Sequence, residues 1–345
     1  MTVNRKAVRI NPEYLNGDMH LAASVLNVYG EKIATEGTKL TPSLISRILI
    51  SGVNYVYVYG EAKSMSAPVL HEVVDADRTE FAGEFDRVAQ GGKIDQDNIV
   101  DIVTSSIRNA MQLGGVEMYL DALRQKSEYT YTHCMAVSIL CNQFGKWLNL
   151  TGSEHYDLMV ASSLHDIGKL NVDTNIIEKK GLLLPHERAA IEEHVLHASK
   201  ILDDVRISER IKRAIMQHHE KMDGTGYPLG LRAGEISTYG SILAIVDCYD
   251  ALISKRSYRD AMSPFSALEI MSKEKFATFR FDLFEKFAEK VAYAHLGAEV
   301  ELTDGTTGEI VFINPSKFET PMIRTAKGDI VDMMTNPRVK IERIG

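Results

Sequence analysis

At 345 residues, 45% hydrophobic and 25% charged, the chain has enough apolar character for a sizeable core, which excludes a disordered polypeptide; at ~150 residues per domain, roughly two or three domains are expected. A formal net charge of −8 argues against a general binder of polymeric nucleic acid or of an anionic membrane, while permitting a small anionic ligand in a local cationic pocket. The three cysteines, Cys134, Cys141 and Cys248, form no CxxC pair and are odd in number, so reduced thiols in the cytoplasm are expected.

Residues 1–62 predict a small α+β module. "KAVRI", "HLAASVLNVYG", "KIATEG" and "YVYVYG" read as short strands. Between the last two, "TPSLISRILISG" predicts a helix capped by Thr41, with Pro42 at its first position and Gly52 past its end. Residues 63–115 predict a helical connector: two runs of helical apolar spacing are separated by the loop "QGGKIDQ". Residues 116–296 predict a long helical domain that holds most of the histidines. Residues 297–345 return to β-like runs, with "TDGTTG" and "AKGD" as turns, and predict a small β-barrel or curled sheet. The expected fold is therefore mainly α. No apolar run approaches the ~18 residues of a membrane span, and "MTVNRKAVRI" lacks an apolar signal segment.

The helical domain carries polar residues in apolar surroundings. His165 and Asp166 are adjacent in "SSLHDIGKL", His218 and His219 end "ERIKRAIMQHH", and Asp247 sits within "SILAIVDCYDAL". His133 heads the apolar run "YTYTHCMAVSIL", and His194 follows "AAIEE". Singly, each fits a hydrogen-bonded core residue or a helix-face acid. Together they favour a metal site, where a cation offsets the desolvation of a buried carboxylate.

The ordered set "YTYTH", "HDIGKL", the histidine of "EEH", "HHEKMDGTGYP", "VDCYDAL" and "KRSYR" resembles the HD-GYP subfamily of the HD metal-dependent phosphohydrolases, over about residues 117–296. The resemblance implies a helical HD-type core flanked by the α+β module and the β segment. It implies a bacterial phosphodiesterase in which metal-activated hydroxide opens cyclic di-GMP to linear pGpG, with GMP as a further product. Another cyclic dinucleotide as substrate, or a slow-turnover sensor or docking protein, is the alternative. Carried over by position, His133, His165, Asp166 and Asp247 would hold one metal, and Asp166 would bridge to a second held by His194, His218 and His219. A carboxylate has two oxygens and can bridge two cations. Iron or manganese suits this histidine–carboxylate set, with zinc also accommodated.

In some members a glutamate one turn before the first histidine holds a third metal. Tyr129 stands there, beside Glu128, which counts against a third ion. Asp166 and Lys169 are the expected catalytic residues. Lys169, Tyr227, Asp250, Arg256 and Arg259 are the expected substrate contacts, with Gly224 and Gly226 allowing a tight loop before Tyr227 and Pro228. The sequence departs from the family pattern at Met222, Val195, Ser241 and Ser257, none of them an expected metal ligand. A homodimer or a signalling protein is the expected partner besides the nucleotide.

Overall fold

The computed structural model describes the chain apart from residues 1–6, 11, 13, 14, 16, 18, 27–31, 52, 54, 55, 60–66, 114, 127, 128, 180, 204, 256–259 and 345. It divides into two compact units, residues 1–73 with 108–119, and residues 74–107 with 120–345.

In the first unit, β1 (Ala7–Ile10), β5 (Val56–Tyr59) and β2 (His20–Leu21) form an antiparallel sheet in the order β1-β5-β2. A second antiparallel pair joins β3 (Val25–Leu26) to β4 (Lys32–Ala34). Strand β5 shows the expected alternation: Val56 and Val58 are buried, whereas Tyr57 and Tyr59 are half-buried. Helix α1 (Pro42–Ile50) begins where its cap predicts, with Thr41 Oγ1 accepting from Leu44 N at 3.3 Å. Leu44 and Ile48, four residues apart on one helical face, join Leu21, Val25, Leu40, Val56 and Val58 in the core. The segment read as one strand, "HLAASVLNVYG", is two short strands instead. After Ala22 N bonds to Tyr57 O at 2.7 Å, the chain bends, so Val25 and Leu26 pair with β4. Gly52 lies outside the described residues.

The second unit holds most of α2 (Ala67–Ala89) and α3 (Gln96–Gln112) and the end of α4 (Val116–Arg124). It continues through α5 (Tyr129–Trp147), α6 (Gly152–Leu164), a 3-10 turn (Ile167–Asn171), α7 (Thr174–Ile177), α8 (Pro185–Glu192) and α9 (His194–Leu202). Then come α10 (Glu209–Gln217), α11 (Thr238–Ile253), α12 (Pro264–Thr278) and α13 (Phe281–Ala294). Serine caps set the starts of three of these helices. Ser208, Ser237 and Ser263 accept from the amides of Ile211, Gly240 and Ser266 at 3.3, 3.1 and 3.3 Å. Helices α5, α6 and α11 are buried along much of their length, as befits central helices. Phe144, Trp147, Tyr249 and Phe287 form a ring cluster between α5, α11 and α13.

Much of the stretch expected to be a connector groups with these helices. Lys126 Nζ pairs with Asp75 at 2.6 Å, Tyr131 Oη donates to Asp86 at 3.2 Å, and Gln96 Nε2 donates to Arg206 O at 2.8 Å. Phe81, Phe85, Ile99 and Val103 are buried.

The C-terminal strands β6 (Glu299–Leu302), β7 (Thr307–Phe312), β8 (Met322–Thr325), β9 (Ile330–Asp332) and β10 (Ile341–Ile344) form one antiparallel sheet, ordered β10-β6-β7-β8-β9. Its edges are β9 and β10, so it is an open sheet. Irregularities at Ile310/Phe312 and Ile341/Arg343 add curl. Gly305 (φ +81°) and Gly328 (φ +92°) occupy the left-handed positions that their turns require. Among the described residues no helix is long and apolar enough to cross a membrane.

Candidate metal centre

The helices of the second unit bring seven distant side chains together. His133 projects from α5, one turn after its start. His165 caps the end of α6, and Asp166 leads into the 3-10 turn. His194 opens α9, His218 and His219 follow α10, and Asp247 lies mid-way along α11. Donor atoms of Asp166, His194, His218 and His219 lie within 4.8 Å of one another, as do those of His133, His165 and Asp247. Asp166 faces both groups. Its Oδ1 is 3.2 Å from His194 Nε2, and its Oδ2 is 3.6 Å from His165 Nε2 and 3.9 Å from His133 Nε2.

Close packing at two glycines permits this convergence. A Cβ on Gly168 would overlap the His194 carbonyl oxygen and crowd the Ala198 amide, so only glycine lets the 3-10 turn meet α9. A Cβ on Gly226 would lie 2.5 Å from the His219 carbonyl oxygen and from the Lys221 amide nitrogen. The loop beyond His219 is also held by Glu220, buried and accepting from Leu229 N at 2.7 Å and Leu231 N at 2.8 Å. Tyr227 is thereby placed with its ring stacked on His219, centroids 4.7 Å apart and planes 29° apart.

Hydrogen bonding decides which ring nitrogens face inward. His165, His194 and His218 each donate Nδ1–H to the carbonyl three residues back, Ser162 O, Ile191 O and Ile215 O, at 2.8, 2.7 and 2.6 Å. A carbonyl can only accept, so Nδ1 carries the proton and a neutral ring leaves a lone pair on Nε2. Those Nε2 atoms, with Asp166 Oδ1, are buried and have no hydrogen-bond partner. His194 Nε2 lies 3.2 Å from Asp166 Oδ1. Buried ring nitrogens and a carboxylate oxygen converging without hydrogen-bond partners are stabilised by a cation placed among them. The donor set therefore fits bound divalent metal.

Electrostatics agree. Burial pushes His218 well below the usual imidazole range, brings His219 down to about 3, and lowers His165, so these rings offer lone pairs at neutral pH. Burial acts to raise Asp166 and Asp247, but Lys169 and His165 for the first, and His133 for the second, hold both carboxyls well below their ordinary range. His133 differs. Burial opposes its charge, yet hydrogen bonds to Asp247 and Asp250 raise it to about 9.

Lys169 Nζ forms an ion pair with Asp166 Oδ2. Asp250 is placed elsewhere than the substrate role expected of it. It is fully buried beneath His133, with Oδ2 accepting from His133 Nδ1 at 2.8 Å and Ser254 Oγ at 3.2 Å, and Oδ1 held by Arg124. Both oxygens of this carboxylate, one turn along α11 from Asp247, are taken by protein donors. Arg256 and Arg259 lie outside the described residues, as do Glu128 and the Tyr129 side chain.

Sequence reasoning passed over Arg124, Gly168 and Glu220. The glutamate was legible as an acid next to paired histidines. Arg124 was not, since its partner Asp250 is 126 residues away. Cys134 also neighbours His165 and Asp166, and burial raises its thiol well above the ordinary range.

Residues 117–283 match the HD domain family. A cyclic di-GMP phosphodiesterase of Pseudomonas aeruginosa is 30% identical over 68% of this chain and 56% of its own. A 3'3'-cGAMP-specific phosphodiesterase of Vibrio cholerae is 37% identical over 43% of this chain and 32% of its own. The chain thus spans about half or less of the length of these relatives. A solved HDG"Y"P protein from Bdellovibrio bacteriovorus aligns with 82% of this chain and 98% of its own at a TM-score of 0.49 and 15% identity. His165-Asp166 at the centre of the converged ligands, and Gly226-Tyr227-Pro228 closing the loop beyond His219, lie within the residues that match the HD domain family.

Proposed function

We propose that this protein is a bacterial phosphodiesterase for a cyclic dinucleotide, with cyclic di-GMP as its substrate. The observation that carries the reading is Asp166 set between two histidine groups, with the Nε2 atoms of His165, His194 and His218 unpartnered. His133, His165, Asp166 and Asp247 would hold one divalent metal, and Asp166, His194, His218 and His219 the other, iron or manganese by the hardness of the donors. Bound there, the metals would supply charge neutralisation at a phosphoryl oxygen and an activated water at neutral pH.

The chain's own residues do the rest. Lys169 Nζ, already at the edge of the carboxylate, donates to a non-bridging phosphoryl oxygen. The Tyr227 hydroxyl is held protonated, because burial raises it, and so serves as a hydrogen-bond donor to the base or sugar. Glu220 keeps that ring in place through the backbone of Leu229 and Leu231. Arg256 and Arg259 contact the phosphates. The three free cysteines suit a reducing compartment, the cytoplasm.

A second reading, hydrolysis of 3'3'-cGAMP, draws support from the Vibrio cholerae relatives specific for that nucleotide. Anaerobically purified protein, loaded with iron or manganese, is assayed against cyclic di-GMP, 3'3'-cGAMP and cyclic di-AMP with product analysis. Faster turnover of cyclic di-GMP to pGpG or GMP is expected. Metal-loaded protein that turns over none of the three would sink the enzymatic reading.

A further inference from the structure

We propose that Arg124, outside the histidine–aspartate motif, is the positioning residue for His133: through Asp250 it sets the ring orientation with which the His133–His165–Asp247 group holds its metal. This rests on the metal-site reading above and deepens it.

His133 cannot be oriented as the other histidines are. His165, His194 and His218 donate to carbonyls in the final turn of a helix, where no amide four residues on competes. His133 stands inside α5, where the carbonyls of the preceding turn accept helical amides. It uses a side chain from another helix instead, with Nδ1 2.8 Å from Asp250 Oδ2. That leaves Nε2 turned toward Asp247 Oδ1 at 2.8 Å, inside the ligand group.

Asp250 could not do this alone. It is fully buried, and an unpaired carboxylate there would be strongly disfavoured. Arg124 places two donors on one oxygen: Nε at 3.1 Å and Nη2 at 2.8 Å, both on Oδ1. With Oδ1 taken, Oδ2 is the atom left for His133 and Ser254. The guanidinium thus fixes the carboxylate's rotation as well as neutralising it. Asp121, 3.6 Å from Nη1, steadies the arginine from its own helix. The order Arg124, Asp250, His133 runs from α4 through α11 to α5, and outer-shell partners of this kind typically alter metal affinity by ~10–100-fold when removed.

The test uses the full chain, stripped of metal and titrated with Mn2+ by calorimetry, beside thermal melts of the metal-free form. Wild type is expected to bind two ions. Arg124→Met is expected to weaken one by about 10–100-fold and leave the other unchanged. Arg124→Lys, which keeps the charge but loses the fork, should fall between. Asp250→Asn should weaken the same ion, and the Arg124→Met/Asp250→Asn double variant should lose no more than the worse single. Additive losses, equal weakening of both ions, or wild-type binding by Arg124→Met would overturn the proposal. If Arg124→Met does not fold, the same cycle is run with Arg124→Lys and decides it by the same criteria. Wild-type protein that binds no manganese would sink the metal-site reading and this inference with it.

Discussion

The C-terminal helix ends of the HD domain and the body of α5 hold their histidines by different physics. At the ends of α6, α8 and α10, carbonyls of the last turn lack helical partners, and His165, His194 and His218 satisfy them while turning Nε2 inward. Inside α5, past its first turn, the carbonyls of the preceding turn accept helical amides, and His133 depends on Asp250 and Arg124. The first device is local, built from residues three apart. The second needs three helices to be packed before it exists. The contrast teaches that the histidines of one metal site can have unequal tolerance to change elsewhere in the fold.

The residue common to both regions should show the largest effect. Asp166→Asn replaces a carboxylate facing both groups with an amide that binds a cation poorly. Metal affinity should fall by well over the ~10–100-fold typical of losing an outer-shell partner, metal content should drop with it, and hydrolysis should disappear. Full occupancy with near wild-type turnover would mean that the two regions do not share a ligand.

Gly168→Ala should strike the helix-end region selectively. The new methyl overlaps the His194 carbonyl, so α9 must move off the 3-10 turn. Overpacking of this sort costs ~1–3 kcal/mol, and here the upper end is expected. The melting temperature should drop, and manganese binding should weaken for the Asp166–His194–His218–His219 group first. An unchanged melt would show that the turn yields without cost.

Glu220→Ala should spare both metal groups and loosen only the loop bearing Tyr227. Charged hydrogen bonds to two amides are lost, each worth ~1.5–3 kcal/mol. The Michaelis constant for the cyclic dinucleotide should rise about ten- to hundredfold while metal content holds. Lost metal with an unchanged Michaelis constant would place Glu220 with the metal ligands rather than with the loop.

The smallest effect is a pH dependence peculiar to the helix-middle region in the metal-free protein. Asp250 is lowered to about 2; burial opposes this, and Arg124 and His133 outweigh it. A depressed carboxyl stabilises the fold above its unfolded value near 4, and that stability is lost as pH falls through about 2; the contribution is of order 2 kcal/mol. His133 is raised to about 9, so its contribution is complete below the unfolded value near 6.5 and is lost as pH rises through 9. Denaturation of metal-free Asp250→Asn across this range should show a flatter profile than wild type at both ends. Parallel profiles would break the link between the two residues.

The candidate ligands were legible in the sequence as a group and through the family resemblance, not one at a time. A histidine or an aspartate in an apolar helical run is costly to bury without a partner, and His133, His165, Asp166, His194, His218, His219 and Asp247, each explicable singly, together pointed to a cation. Thr41 before Pro42, and the glycines of "TDGTTG" and "AKGD", likewise marked element ends, because capping and left-handed turns are local interactions. The split of "HLAASVLNVYG" was not legible, since strand pairing is chosen by partners elsewhere in the chain.

What the sequence by itself determined, then, is which polar side chains stand in apolar runs and need a partner or mark a cap, because those costs belong to single residues and their near neighbours. Only the tertiary structure decided how they are used. Asp247 and Asp250 lie one turn apart on α11, read from the sequence as a metal ligand and a substrate contact, yet one faces the ligand group and the other is sealed beneath His133 by Arg124. The role of a buried charge is set by which opposite charge reaches it first, and between α4 and α11 that is a matter of packing across 126 residues of chain.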